Sequence, residues 1–216
     1  MSKVPYASAV GCLMYAMVCT RPNLVQVVSV VSKFLSNPGI LHWDVVKWTF
    51  RYFRGTTDYD IMFNKQQSDP SIEGYMDADY TEDLDDKRST MGYVFTFGGG
   101  LICWKFMIQS LVALSTNESE YMVVAEAINE SLWLTGLVKE LGIQQSRVQL
   151  YYDSQSAIYL AKNQVYHTRT KHIDVRFHKI RELVSSGKLL LEKVHTSENA
   201  TNMLRRFTPL RMQQTC

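Results

Sequence analysis

The chain has 216 residues, of which 46% are hydrophobic and 20% are charged, and its formal net charge is +2. Such values are typical of a globular chain of one or two domains with a sizeable core, and they exclude a disordered chain, a collagen-like repeat and a coiled coil. A net charge this close to zero does not indicate which kind of partner the protein binds.

The cysteines and the apolar runs indicate whether the protein has disulfides, a zinc site or a membrane span. The sequence has four cysteines, at positions 12, 19, 103 and 216, and contains neither C-x-x-C nor H-E-x-x-H, so we expect free thiols and no zinc site. The longest apolar run, residues 7–19, has 13 residues and is too short to cross a membrane, so we expect it to form a buried helix. The sequence therefore predicts a protein of a reducing compartment without a membrane span.

Helical patterns fill the first 63 residues. Apolar side chains recur at helical spacing after Pro22, which is a helix start signal, and again between a turn at 37–39 and Gly55. The first stripe consists of Leu24, Val27, Val28, Val31, Phe34 and Leu35. Residues 64–70 are polar and typical of a linker, so we predict a helical segment over 1–63 and a separate domain over 71–216.

Strand patterns begin after the predicted linker. A first strand ends near Met76, where the sequence becomes acidic. Residues 93–97 and 101–105 are rich in aromatic and β-branched side chains and are joined by the glycines at 98–100, which predicts a β-hairpin.

A long helix and two further strands complete the pattern. Ser115 and Glu118 have the spacing of a capping box, and the apolar stripe that follows predicts a helix reaching about Leu141, with Gly142 as its stop. The remaining predicted elements are a strand over 148–152, a short helix over 154–163, a helix over 171–185 and a strand over 189–194. This order predicts an α/β fold with a mixed sheet and helices packed on its faces.

Carboxylates follow two of the predicted strands. Asp77 comes directly after the first strand, and Asp153 comes directly after the strand over 148–152. Because ligand sites in open α/β sheets lie at the carboxyl ends of strands, these two side chains can converge. Glu120, in the first turns of the long helix, is a third candidate. Each candidate also has a purely structural interpretation. The acidic run over 73–86 is also typical of a solvated loop. A Glu near the start of a helix can simply interact with the helix dipole.

Several carboxylates brought together would repel one another unless a cation neutralised them. Oxygen ligands of this kind suit Mg²⁺ or Mn²⁺. Two such ions can activate a water molecule and stabilise the leaving oxygen during cleavage of a phosphodiester. The residues alone allow this chemistry without requiring it.

Basic residues concentrate between positions 165 and 195. They are Arg169, Lys171, Arg176, Lys179, Arg181, Lys188 and Lys193, with His167, His172, His178 and His195 among them. Such a segment forms either an ordinary charged helix face or a surface that contacts phosphates. We do not expect His167 and His172 to bind a metal, because no further ligand has a suitable spacing, and His195 is either a surface residue or a proton shuttle.

Five blocks in this order resemble the ribonuclease H (RNase H) domain of copia-type retrotransposon Pol polyproteins. They are residues 75–95, 112–121, 152–157, 167–176 and 195–199, with the sequences YMDAD…KRSTMGYVF, VALST…ESEY, YDSQSA, HTRTKHIDVR and HTSEN. Residues 4–63 resemble the segment that ends the reverse transcriptase of the same family. The resemblance covers nearly the whole chain and implies an RNase H-like five-stranded mixed sheet with flanking helices, preceded by a small helical segment.

The resemblance also implies an activity and a set of site residues. The activity is two-metal hydrolysis of the RNA strand of an RNA–DNA hybrid, using two Mg²⁺ or Mn²⁺ ions. The implied metal ligands are Asp77, Glu120 and Asp153, with Glu118 as the competing assignment for Glu120. The expected phosphate contacts are Arg169, Lys171, His172, Arg176 and Arg181. We expect the rest of a Pol polyprotein as a partner, no small-molecule cofactor and no membrane, and an intracellular location, in a cytoplasmic particle or the nucleus.

Two positions depart from the family pattern. Asn202 stands where the family has a fourth catalytic carboxylate, so this position keeps an oxygen but loses the charge. Glu82 adds a negative charge where the family usually has a small residue. These departures leave two alternatives to an active nuclease: a catalytically inactive nucleic-acid-binding module and a decayed Pol fragment.

Overall fold

The computed structural model of the protein describes residues 4–63, 71–79, 89–109, 116–145, 147–162, 180 and 182–205. The chain forms two compact units, of which one is Met1–Ile61 with Asn202–Cys216 and the other is Met62–Thr201. The predicted linker over 64–70 lies outside the described residues, so a domain boundary there stays a prediction. The residues from Asn202 onward belong to the first unit, whereas the sequence placed them in the second domain.

The first unit is helical. Its elements are α1 (Tyr6–Cys19), a 3₁₀ helix (Pro22–Leu24), α2 (Val25–Ser32), α3 (Ile40–Gly55) and a short helix, Asn202–Arg205. Its buried core consists of Tyr6, Val10, Leu13, Leu24, Val27, Val28, Val31 and Val46. The hydroxyl of Tyr6 donates a hydrogen bond of 2.8 Å to the carbonyl of Val31, which ties α1 to the end of α2.

The prediction that residues 7–19 form a buried helix is wrong in part. The helix α1 exists, but its buried side chains are only Tyr6, Val10 and Leu13, whereas Tyr15 and Val18 are 75% and 65% exposed. An apolar run with Ser8 as its one polar side chain does not show which face of the helix packs, and here one face alone contacts α2 and α3. Within the described residues, no helix has both the length and the apolar character to cross a lipid bilayer.

The second unit contains a five-stranded mixed sheet, which confirms the predicted fold class. Its strands are β1 (Ile72–Asp79), β2 (Thr90–Phe97), β3 (Gly100–Ile108), β4 (Val148–Tyr152) and β5 (Leu189–Lys193), in the spatial order β3-β2-β1-β4-β5. The first three strands pair antiparallel, whereas β4 is parallel to both β1 and β5. Gly98 and Gly99 form the predicted hairpin turn with φ values of 57° and 75°, a conformation that favours glycine.

The long helices of the second unit are α4 (Thr116–Glu140) and α5 (Gln155–Lys162). The end of α4 is as predicted, because Gly142 has a φ of 81° and its N–H donates to the carbonyl of Lys139. The predicted capping box of Ser115 and Glu118 lies outside the described side chains. For the predicted helix over 171–185, residues 171–179 lie outside the described residues, and residues 182–185 are helical. Apolar residues of α4 fill the space over one face of the sheet. The largest fully buried side chains of this core are Tyr121, Tyr152, Phe95, Ile72, Met76, Ile128 and Leu150.

Gly74 in β1 offers a test of this packing. A Cβ atom at Gly74 would overlap the side chains of Leu150 and Phe95, both of which are fully buried. We expect Gly74→Ala to lower the free energy of unfolding by about 1–3 kcal/mol, measured by chemical denaturation. The control is Gly136→Ala in α4, where the added methyl meets nothing within 4 Å, and it should raise stability by about 0.5–1 kcal/mol. Equal effects of the two substitutions would contradict the packing of β1 against β4 and β2.

Candidate active site

The pairing of β1 with β4 brings Asp77 and Asp153 to one end of the sheet. Their parallel register runs from Glu73 opposite Gln149 to Met76 opposite Tyr152, and Asp77 and Asp153 are the next residues on each chain. The prediction that the first strand ends near Met76 is wrong, because β1 continues to Asp79 through its pairing with β2, in which Asp77 lies opposite Gly92. Neighbouring strands lie about 4.8 Å apart, so the two aspartates begin from adjacent backbone positions. Asp77 is only 7% exposed, which is unusual for a carboxylate and typical of one held in place by its surroundings.

Glu120 of α4 reaches the chain that follows Asp153. The hydroxyl of Ser154 donates a hydrogen bond of 2.6 Å to Oε2 of Glu120, and the hydroxyl of Ser156 donates to the same oxygen at 3.1 Å. The two hydroxyl oxygens are themselves 2.9 Å apart. Glu120 is therefore held at the carboxyl end of β4 instead of facing only solvent. The side chain of Glu118, the competing candidate, lies outside the described residues.

Buried contacts hold the first turns of α4 against the sheet. The amide nitrogen of the Gln109 side chain donates to the carbonyl of Ser119 at 2.8 Å, and the backbone N–H of Gln109 donates to the carbonyl of Ser89 at 2.8 Å. Tyr152, the last residue of β4, donates through its hydroxyl to the carbonyl of Glu120 at 3.4 Å. Since Gln109 is fully buried, these bonds fix the position from which the Glu120 side chain extends.

The loop after β5 contacts Asp153. The hydroxyl of Thr196 donates to Oδ2 of Asp153 at 3.1 Å. The adjacent His195 is exposed, and its Nδ1 accepts a hydrogen bond of 3.3 Å from the backbone N–H of Ser197. These contacts place the start of this loop beside the candidate carboxylates.

A buried asparagine anchors the end of the same loop. Asn199 is 3% exposed, and its side-chain nitrogen donates to the carbonyl of Met76 at 2.8 Å. Its side-chain oxygen accepts from the backbone N–H of Thr201 at 3.1 Å and from the hydroxyl of Thr201 at 2.8 Å. Because Met76 directly precedes Asp77, Asn199 fixes the peptide from which that aspartate extends.

The structure thus brings Asp77, Glu120 and Asp153 to the same end of the sheet. Asn202 is half-buried and belongs to the helical unit, so its role stays a prediction. The predicted phosphate contacts lie outside the described residues; these are Arg169, Lys171, His172, Arg176 and Arg181.

Sequence reasoning did not single out four polar residues of the site. They are Ser154, Ser156, Thr196 and Asn199. The available signal was their place in the blocks YDSQSA and HTSEN, which carry the family resemblance. Nothing in the spacing of these residues shows which carboxylate or carbonyl each one contacts.

The chemistry of the donors suits a hard divalent cation, because Asp77, Glu120 and Asp153 offer only carboxylate oxygens. Among the described residues, however, no group of three or more His, Cys, Asp or Glu side chains is arranged so that it could hold a metal ion. The Glu120 carboxylate instead accepts two serine hydroxyls, and Asp153 accepts a threonine hydroxyl. The residue types fit Mg²⁺, whereas their present arrangement is not a closed ligand group.

A second set of titratable side chains lies between α4 and the β2–β3 hairpin. The hydroxyl of Tyr93 donates to Oε2 of Glu130 at 3.1 Å, and the Cys103 thiol donates to Oε1 at 3.3 Å. Burial, followed by the Glu130 charge, raises the pKa of the Cys103 thiol to about 12, and the same two causes raise the pKa of Tyr93. Both groups therefore stay protonated at neutral pH and donate to Glu130, so Cys103 is a structural thiol and not a nucleophile.

The chain is similar to several known proteins. The chain is 51% identical over 216 residues to the retrovirus-related Pol polyprotein from transposon TNT 1-94 of Nicotiana tabacum, a match that covers 100% of this chain and 16% of that protein. It is 44% identical over 135 residues to secreted RxLR effector protein 161 of Plasmopara viticola, covering 62% of this chain and 94% of that protein. The chain therefore spans 16% of the length of the Pol polyprotein. No protein-family model matches it.

Solved structures show a similar fold at low sequence identity. The foamy viral protease-reverse transcriptase in complex with an RNA/DNA hybrid matches with a TM-score of 0.51 and 11% identity, covering 88% of this chain and 24% of that one. LC11-RNase H1 in complex with an RNA/DNA hybrid matches with a TM-score of 0.44 and 16% identity, covering 60% of this chain and 89% of that one. The foamy viral match, at 11% identity, shows a likeness of fold alone.

The Asn199 anchor can be tested by stability. We expect Asn199→Ala to lower the free energy of unfolding by about 3 kcal/mol, because the Met76 carbonyl and the two donors of Thr201 lose their buried partner. Chemical denaturation measures this change. The matched control is Asn129→Ala, at an exposed position of α4, which should leave stability unchanged or slightly raised. A loss no larger than that of the control would rule out the anchor.

The state of Cys103 can be tested by its reactivity. At pH 8, iodoacetamide should modify Cys103 about 100-fold more slowly, or slower still, than the exposed Cys12 and Cys19, because its thiol is half-buried and has a raised pKa. Mass spectrometry of the peptides gives the three rates. In urea the three thiols should react alike, which controls for local sequence. A fast reaction of Cys103 in the folded protein would show that the Glu130 contact is absent.

Proposed function

Since the chain belongs to the family of copia-type retrotransposon Pol polyproteins and corresponds to their RNase H region, we propose that it hydrolyses the RNA strand of RNA–DNA hybrids. One observation carries the proposal: Asp77, Glu120 and the chain at Asp153 meet at the carboxyl ends of β1 and β4. Three carboxylates at one end of a sheet provide the oxygen-rich site that phosphodiester hydrolysis requires.

In the proposed reaction, Asp77, Glu120 and Asp153 would hold two Mg²⁺ or Mn²⁺ ions. Bound there, the ions supply an activated water and stabilisation of the leaving oxygen. In the net reaction, one water would be added across the ester bond: its oxygen would bond to the scissile phosphorus, the bond to the leaving oxygen would break, and one of the two water protons would end on that oxygen.

The side chains around the carboxylates orient them for this role. Ser154 and Ser156 both donate to Oε2 of Glu120, so neither of these two hydroxyls occupies Oε1. Thr196 restrains one oxygen of Asp153, and Asn199 restrains the peptide before Asp77. Such supporting hydrogen bonds limit the rotation of carboxylates and so reduce the rearrangement needed when substrate and ions bind.

Substrate binding is assigned from the sequence. Arg169, Lys171, His172, Arg176 and Arg181 are proposed to contact phosphates, and a contact to a 2′-hydroxyl would distinguish the RNA strand from DNA. Asn202 assists through its amide, which accepts and donates hydrogen bonds but carries no charge. We further propose that the chain works together with the remainder of a Pol polyprotein, in an intracellular particle or in the nucleus.

Asn202 favours a second candidate function, a module that binds nucleic acid without cleaving it. This neutral residue stands where the family carries a carboxylate, and the described carboxylates do not form a closed group of metal ligands. Such a module would bind hybrids with an affinity that falls steeply as salt rises, and Mg²⁺ would not produce cleavage.

Cleavage of a labelled RNA–DNA hybrid tests the proposal. The full chain should cut the RNA strand in the presence of Mg²⁺ or Mn²⁺, and Asp77→Asn should reduce the rate about 100-fold or more, because the buried carboxylate loses its charge. Asp60→Asn, an exposed site in the helical unit, is the matched control and should cleave like the natural chain. Circular dichroism of Asp77→Asn should show an intact fold. Unchanged cleavage by this variant would refute the assignment of Asp77.

Asn202→Asp separates the two candidate functions. If the natural chain cleaves, the substitution should increase the rate, because a fourth carboxylate strengthens binding of cations. If the natural chain binds hybrids in a salt-dependent manner without cleaving them, and Asn202→Asp restores cleavage, the chain is a binding module disabled at this position. Absence of both binding and cleavage would contradict both functions.

A further inference from the structure

The strand β3 is an outer strand of the five-stranded sheet and pairs with β2 on one side. In the part of the chain that the structure describes, no strand pairs with its other side. A strand in this position presents a row of backbone donors and acceptors to whatever lies beside it. The outer side of β3 is therefore a place where the sheet can be extended.

The backbone hydrogen bond of Gln109 shows which residues of β3 face outward. Its N–H donates to the carbonyl of Ser89 at 2.8 Å, at the end of the ladder between β2 and β3. In an antiparallel pair, residues that bond to the partner strand alternate with residues that do not. Positions 107 and 105 therefore bond to β2, whereas the N–H and C=O groups of Phe106 and Ile108 point to the outer side. Among the described residues these outer groups have no hydrogen-bond partner.

Proline and charged side chains, which usually protect an edge strand, are scarce in β3. It contains no proline, and Lys105 is its one charged residue. Nζ of Lys105 lies 3.9 Å from Oε2 of Glu126 in α4 and 5.9 Å from the centre of the Tyr93 ring, so this lysine lies over one face of the sheet. The other outer strand, β5, instead ends in the exposed charged residues Glu192 and Lys193. Of the two edges, β3 is the one suited to accept a further strand.

The start of β3 is not suited to such pairing. The ladder with β2 is irregular between Phe95 and Thr96, and an irregularity of this kind bends a strand. A Cβ atom at Gly100 would overlap the ring of Phe63, so this ring lies against the first residue of β3. The segment with a regular register and an open edge is therefore residues 104–108.

This segment carries an apolar row on one face of the sheet. Cys103 contacts Glu130 of α4, and side chains alternate along a strand, so Trp104, Phe106 and Ile108 lie on the face opposite α4. All three are apolar and partly exposed. A neighbouring strand with apolar side chains on the same face would remove this surface from water.

We propose that β3 pairs antiparallel with β3 of a second copy of the chain, centred on Phe106, so that the two sheets form one continuous sheet. In this register the two Phe106 residues exchange backbone hydrogen bonds, Trp104 lies opposite Ile108 of the second copy, and Lys105 lies opposite Met107. A register centred on Lys105 would instead place two lysines directly opposite each other, which is unfavourable. The segment is complementary to itself, as a two-fold contact requires. The proposal goes beyond the nuclease function and does not depend on it.

Sedimentation equilibrium of the full chain tests the pairing. We expect a reversible equilibrium between monomer and dimer with a dissociation constant in the micromolar range, because the contact is small. Phe106→Pro should abolish the dimer, since proline removes the outer N–H of residue 106 without removing a bond to β2. Phe106→Ala loses the same ring but keeps the N–H, so its association should weaken at most about tenfold. Circular dichroism should show that both variants are folded.

Met107 tests the register without changing the outer peptide groups. In the proposed contact, Met107→Glu places an opposite charge beside Lys105 of the second copy, and Met107→Lys places a like charge there. We expect the glutamate variant to associate about tenfold more tightly than the lysine variant. Both variants replace the same partly buried side chain with a charged one, so each controls for the effect of the other on folding.

Cysteine cross-linking locates the contact. With Cys12, Cys19 and Cys216 replaced by serine, Phe106→Cys should form a disulfide between two copies, because directly opposed residues of a bonded pair have Cα atoms about 5.5 Å apart. Ile108→Cys, on the same edge, should not cross-link, because its two copies would lie about 14 Å apart. Mass spectrometry of the linked peptides identifies the residues joined.

The proposal is overturned if the chain stays monomeric at about 100 μM, or if Phe106→Pro and Phe106→Ala dimerise equally. It is also overturned if the two Met107 variants associate equally, or if Ile108→Cys cross-links as readily as Phe106→Cys. Open-ended assembly, which pairing of β3 with β5 of another copy would produce, has the same meaning. If Phe106→Pro fails to fold, the Met107 variants and the cross-links decide. Asp77→Asn should dimerise like the natural chain, which keeps this result separate from hybrid cleavage.

Discussion

Parallel pairing between β1 and β4 is the constraint on which the site depends. The two strands are far apart in the sequence, and their register places Met76 opposite Tyr152. A shift of one residue in this register would turn either Asp77 or Asp153 to the other face of the sheet, because side chains alternate along a strand. Burial of Met76 and Tyr152 under α4 opposes such a shift, so the packing of the apolar face determines where the carboxylates lie.

Elements with a strong local signal could be predicted from the sequence. The strand over 148–152 has the predicted limits. The end of α4 follows from Gly142, because glycine adopts a positive φ without steric cost. The run over 7–19 gave a helix but the wrong burial, because burial depends on neighbouring elements and not on composition alone. Likewise, the stripe that ends at Leu35 predicted one helix, whereas the structure has a 3₁₀ turn followed by α2, which stops at Ser32.

The candidate site was predictable only in its carboxylates. Asp153 follows β4 and Asp77 lies near the end of β1, and the rule that sites lie at carboxyl ends of strands is enough to single them out. The bonds from Ser154 and Ser156 to Glu120, and from Asn199 to Met76, join segments 34 to 123 residues apart, and no local pattern encodes such contacts.

The bond between Asn199 and Met76 has a consequence for the order of folding, since its partners are separated by 123 residues. The β2–β3 hairpin closes through two glycines and can form within microseconds, whereas the bond from Asn199 closes one of the largest loops in the chain. Loop-closure entropy favours forming this bond only after β1, β4 and β5 have paired, because that pairing shortens the remaining loop to the few residues between Lys193 and Asn199. Until then the peptide before this aspartate lacks its buried donor, so a partly folded chain has the sheet core before it has an ordered site.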